Sequence, residues 1–263
     1  MKTAHTLFLV ALLAKTAFSQ SMPNKPNYIA HAEMSQNGTS VTIHASSPRP
    51  VEQAISRIRR NYGITLDYEE GAENDPALFA NENNRPRLKG ADINVTVPEP
   101  SGSSPAEQES FLRSLLSKFH ASGARDFTLL NLSEGRLTVT PTDPSKRVLD
   151  TPILLEPKSR SIDATIDEIL KLVNVKTGIT IVRGGLIDND LANTKTVVGT
   201  DKPIPAREAL AQALDGAFYR KFWILTWEPS DNNYVIGIQT AVREQSTSTG
   251  TYREIPIRSK QSE

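Results

Sequence analysis

Two stretches decide the fold: NYGITLDYEE, residues 61–70, and KTGITIVRGG, residues 176–185. Val51, Ala54, Ile55, Ile58 and Tyr62 precede the first at the spacing of one helical face, and Pro50 suits the opening turn of that helix, where its missing N–H is not needed. Ile162, Ile166, Ile169, Leu170 and Val173 precede the second, with Ser161 placed to cap the helix. Gly63 and Gly178 stand where a left-handed C-terminal cap is wanted. Beyond them the period falls from 3.6 to 2: Ile64, Leu66 and Tyr68 alternate with Thr65, Asp67 and Glu69, and Ile179 to Val182 extends in the same way. Each Gly-Ile-Thr is therefore read as a helix stop followed by a strand.

Working outward, the same order of elements appears on both sides. SVTIHA precedes the first helix, and ADINVTVPEP follows its strand as a further alternating run. Phe111, Leu112, Leu115, Leu116 and Phe119 form a second helical face ending near Gly123, and DFTLLNLSEGRLTVTP reads as a hairpin. The second half offers ILLEP, a helix, a strand, TKTVVGT, a helix from Pro205, and the hairpin KFWILTWEPSDNNYVIGIQ. Gly63 and Gly178 lie 115 residues apart, whereas Pro105 and Pro205 lie 100 apart. The mismatch falls in the polar stretch after the second strand of the first half, where an inserted loop costs only the logarithm of its length. The expectation is an α+β chain of two tandem βαββαββ domains, residues 40–141 with a loop insertion and residues 152–240, joined by a linker at 142–151.

The flanks read differently. Residues 1–19 carry Lys2, the apolar run Leu7 to Ala14 and the small residues Ala17 and Ser19, the three parts of a secretory leader cleaved after Ser19. That run is too short to span a bilayer, which takes roughly 20 residues. Residues 20–39 and 241–263 are polar and read as a flexible lead-in and tail. Cys is absent, so each domain of an exported chain must hold together by packing. Thirty basic side chains balance thirty acidic ones with no basic stripe, which disfavours nucleic acid as a partner.

SIDATIDEILKLVNVKTGITIVRGG, a following VV strand, IPAREALAQALDGAFYRKFWILTW and YVIGI resemble the short domain at the N-terminus of secretins and TonB-dependent receptors; Val41 to Thr140 resembles it more weakly. The resemblance implies a periplasmic βαββαββ module that docks other proteins, with no catalytic residues to carry over. Here Gln239 is followed by a polar stretch rather than by a secretin ring or a receptor barrel, which points to an adaptor or accessory subunit of an envelope machine, with an envelope protein as the expected partner and the oligomeric state open.

Chemistry is sparse by comparison. His31, His44 and His120 form neither a HExxH motif nor an i, i+4 pair, and no GxSxG elbow or phosphate-binding glycine loop occurs, so neither an enzyme site nor a cofactor is expected. Asp188, Asn189, Asp190 and Asn193 offer oxygen ligands to a hard cation, but the same residues are what turns prefer, so no metal is assigned. Trp223, Leu225 and Trp227 share one face of an apolar strand and are the candidate partner-binding residues; burial in the core is the alternative. The competing function is a secreted hydrolase or glycan-binding protein with Asp and Glu residues gathered between the two halves, since paired carboxylates do acid/base work at close separation.

Overall fold

The computed structural model describes residues 32–259 apart from 83–84, 101, 103, 133–135, 186–187, 200 and 248–251; residues 1–19, read above as a leader, and His31 lie outside the described residues. In chain order the first half comprises β1 (Glu33–Asn37), β2 (Ser40–Ala45), α1 (Pro50–Tyr62), β3 (Leu66–Glu69), β4 (Phe79–Glu82), β5 (Arg85–Leu88), β6 (Ile93–Pro98), α2 (Pro105–Ala121), β7 (Phe127–Asn131) and β8 (Leu137–Pro141). The second comprises β9 (Pro152–Ile153), β10 (Lys158–Ser161), α3 (Ile162–Thr177), β11 (Thr180–Gly184), α4 (Asn189–Asn193), β12 (Lys195–Val198), β13 (Ile204–Pro205), α5 (Ala206–Asp215), β14 (Lys221–Glu228), β15 (Asn233–Thr240), β16 (Val242–Ser246) and β17 (Tyr252–Pro256). The chain is α+β, with its helices laid on sheets of two to six strands.

Local chemistry sets the helix ends. Gly63 and Gly178 adopt φ of 65° and 71°, and their N–H groups donate to the carbonyls of Arg59 and Asn174 at 2.8 and 3.0 Å. The Ser161 hydroxyl accepts from the Ala164 N–H at 3.1 Å, and Ser104 with Glu107 forms a capping box at the start of α2. Val51, Ala54, Ile55 and Ile58 of α1 and Ile166, Ile169, Leu170 and Val173 of α3, 115 residues further on, are all buried.

Strand pairing repeats as well. In the first half Leu66 of β3 lies beside Leu137 of β8 in parallel, and Leu137 beside Asn131 of β7 in antiparallel sense. In the second, Ile181 of β11 lies beside Tyr234 of β15 in parallel, and Tyr234 beside Trp227 of β14 in antiparallel sense. Leu66 and Ile181 each stand three residues after the cap glycine, so both halves are in the same register. Smaller pairs repeat too: β2 with β6, and β10 with β12.

The two trios are one sheet. Its order is β11-β15-β14-β3-β8-β7, and β14 runs parallel to β3 with Ile224 beside Tyr68 and Leu225 beside Glu69. Residues side by side in a parallel pair share a face. Leu66 and Tyr68 belong to the core under α1 and α2, and Ile224 packs against it, whereas Leu225 belongs to the core under α3 and α5. The helices of the two halves therefore cover opposite faces. A half turn about an axis running across the strands, with a three-strand advance, carries one trio onto the other.

Three expectations need correction. Residues 142–151 are a packed corner rather than a linker: turns of 3₁₀-helix at Pro144–Lys146 and Val148–Asp150 bury Val148 and Leu149 in the second core. The lead-in includes β1, which forms a hairpin with β2 across Gly38 at φ 63°. The tail includes the β16–β17 hairpin, which returns to α1 of the first half through Arg57–Glu244 at 2.9 Å and places Ile257 against Gly63.

Candidate functional site

Among the described residues, those the sequence nominated for chemistry do not gather into a reactive centre. Asp188 caps α4 and accepts from Lys221 Nζ at 2.6 Å; Asp190 accepts from the same ammonium and from the N–H groups of Phe218 and Tyr219. Lys221 is itself buried, so its charge fills the position a cation would take between these carboxylates. Burial alone would lift the Asp190 carboxyl, but those two N–H donors and Lys221 hold it below the usual range. Asn193 hydrogen-bonds the Asn189 carbonyl, closing the turn of α4. His44 is exposed on β2, and His120 pairs with Asp126 at the surface. Among the described residues no cluster of three or more His, Asp or Glu side chains is arranged to hold a metal.

Trp223, Leu225 and Trp227 lie in the core of the second half, the alternative to a surface patch. Their burial has a counterpart on the helix above. Register equates Trp223, Leu225 and Trp227 with Phe127, Leu129 and Asn131. The buried face of α2 carries Phe111, Leu115 and Phe119, whereas that of α5 carries Ala209 and Ala213, followed by Ala217. Large side chains on the strand accompany small ones on the helix, which keeps the core filled. The Trp227 indole N–H also donates to the Glu73 carbonyl at 2.8 Å, tying the second core to the first half.

The unusual chemistry sits at the seam where β14 meets β3. LDYEE reads as an amphipathic strand, yet every residue from Leu66 to Glu70 is buried. Each carboxylate faces an arginine: Asp67 with Arg136 at 3.1 Å, Glu69 with Arg207 at 2.8 Å and Glu70 with Arg49 at 2.9 Å. Each arginine reaches a second acid, respectively Asp215, Asp150 and Glu228. The remaining capacity goes to the β14 backbone. Trp223 and Trp227 N–H donate to Asp67 and Glu70 at 3.1 and 3.0 Å, Arg136 and Arg49 donate to the carbonyls of Lys221 and Trp227, and the Glu70 N–H donates to Leu225 O at 2.9 Å. Glu69 also accepts from Thr140 and from the Leu149 N–H of the packed corner. Arg49 holds a left-handed φ of 54°, an unfavourable conformation for a residue with a Cβ, and its four side-chain bonds fix it there. Burial pushes Asp67 up to about 6 against the pull of Arg136, and it raises Glu69 against that of Arg207.

The seam escaped the sequence because alternating acids look like a wet strand face. The available signal was the contrast between the two halves. Three residues after each cap, LDYEE stands opposite IVRGG, so the acids Asp67, Glu69 and Glu70 correspond to Val182, Gly184 and Gly185. β11 accordingly ends the sheet with no carboxylate on it, and β7 (FTLLN) ends the other side with no charge at all. Among the described residues no helix is long and apolar enough to cross a membrane. No family model matches the chain, and neither a curated protein nor a solved structure matches it.

Proposed function

We propose that the chain is an exported docking protein, periplasmic or secreted, made of two copies of a βαββαββ module like the short N-terminal domain of secretins and TonB-dependent receptors, and that it serves an envelope machine as an adaptor rather than as an enzyme. The observation that carries this reading is the common register: Leu66 and Ile181 each stand three residues after a cap glycine, and Leu66, Leu137 and Asn131 in one half pair in the same order and sense as Ile181, Tyr234 and Trp227 in the other. A docking role suits a sheet that ends, among the described residues, in the two edge strands β11 and β7, since a partner strand can add to either. The competing hydrolase reading needs two facing carboxylates open to a substrate, and the acids between the halves are each committed to an arginine instead. The test is cross-linking in intact envelopes with photoreactive groups at Asn131 and Val182, on the two edge strands. Recovery of one envelope protein on either residue, a second copy of this chain included, supports the reading; recovery of none from either contradicts it.

A further inference from the structure

We infer that the two sheet edges bind each other between molecules, so that β7 of one copy pairs in parallel with β11 of the next and the protein assembles head to tail. The inference rests on the docking reading of the edges and names their occupant.

The template is inside the molecule. β14 and β3 are the strands equivalent to β7 and β11, and they pair in parallel with Ile224 beside Tyr68. On β7 the even-numbered residues face β8, as the flanking bonds Leu132 N–H to Arg136 O and Thr142 N–H to Asp126 O require. Phe127, Leu129 and Asn131 therefore turn their N–H and C=O groups outward, just as Trp223, Leu225 and Trp227 turn theirs to β3. On β11 the outward groups of Ile181 are occupied by the Asn174 side chain, with Ile181 N–H donating to Oδ1 at 2.9 Å and Nδ2 donating to its carbonyl at 3.2 Å. A one-sided counterpart is present at the seam, where Arg59 Nε donates to the Leu66 carbonyl, and it leaves the strand free to pair from Tyr68 onward. The residue equivalent to Tyr68 is Arg183. Its side chain is drawn back to Asp163 and Asp167 of α3, away from the edge.

Two features favour a second copy. β7 lacks the lysines, prolines and bulges that normally protect an edge strand from pairing, and β11 is the edge that the chain already presents in the matching sense. Neither edge carries the acids of the seam, so parting them strands no buried charge, and association is reversible where the seam is permanent. Because the joining operation is a half turn with an advance, it does not close on itself, and heterologous contacts of that kind build open chains.

The register transfers directly: Thr128 should lie beside Arg183 and Leu129 beside Gly184. Since Cys is absent, two single-cysteine proteins, Thr128→Cys and Arg183→Cys, can be mixed and oxidised mildly. Neighbouring strands lie about 4.8 Å apart, inside the window a disulfide accepts, whereas Asn131→Cys with Val182→Cys is four residues out of register, roughly 13 Å. The expected result is at least about ten-fold more mixed dimer from the first pair than from the second, with the unmodified protein sedimenting as a series of species that grows with concentration. Thr128→Cys linking mainly to itself would show a twofold β7–β7 pair and overturn the inference. So would a protein that stays monomeric at every concentration, and if that protein still cross-linked an envelope partner, the docking reading would survive alone.

Discussion

The strands β3 and β11 hold the same place in their halves and have opposite fates. Both follow a left-handed glycine cap, both lie in parallel beside the last strand of a hairpin, and their equivalent residues Leu66 and Ile181 each stand three residues beyond the glycine. β3 and the residue after it carry three acids, and the strand is buried at the middle of a six-stranded sheet; β11 and the residue after it carry valine and glycine at those positions, and the strand lies at the edge. Backbone pattern fixes the fold of each half. Side-chain charge decides which edge is joined for good, because a buried carboxylate is tolerable only beside its arginine.

The comparison breaks most sharply at its arginines. Arg207→Met would leave Glu69 buried without its cation and should cost about 3–5 kcal/mol, measured by urea unfolding, with the double variant Arg207→Met/Glu69→Leu recovering most of the loss. Arg183→Met on the outer strand removes pairs to two partly exposed aspartates and should cost less than about 1 kcal/mol. Equal costs would remove the distinction between seam and edge.

The cap glycines give the next largest contrast. A side chain at either position pays roughly 1–2 kcal/mol for the left-handed conformation. Gly178 faces open space, whereas a Cβ on Gly63 would meet Ile257 Cδ1 at 3.1 Å and Arg243 Cβ at 3.3 Å, so Gly63→Ala should lower the melting temperature further than Gly178→Ala and loosen the C-terminal hairpin. The smallest effect concerns protons. Asp67 is raised to about 6 in the fold, above the ordinary carboxylate value near 4, so its contribution to stability is present at acid pH and fades as pH rises through 6. Asp67→Asn should flatten the slope of unfolding free energy between about pH 4 and pH 6, and an unchanged slope would assign it to other groups.

The order of elements was legible because caps and periodicities are local. Gly63, Gly178, Ser161 and Pro50 each act within a turn or two of their own position, and the apolar faces of α1 and α3 repeat at a fixed offset. The seam was not legible, because Asp67, Glu69 and Glu70 find Arg136, Arg207 and Arg49 at distances along the chain that no periodicity encodes. The Trp223, Leu225, Trp227 face left two readings open on sequence alone; it was decided by alanines on α5. β1 and the C-terminal hairpin were missed because their side chains are mostly polar and exposed, although Asn37-Gly38 is a turn signal of the kind that joins two strands.

The most direct test of the continuous sheet is native-state amide hydrogen exchange at Glu70, Trp223 and Trp227, whose N–H groups bond across the seam. If the halves are one body, these three amides exchange only through global unfolding, as slowly as those of β8 in the middle of the first trio. Exchange orders of magnitude faster than in β8, with both halves otherwise protected, would mean that the modules part readily, and the account of the seam would fail.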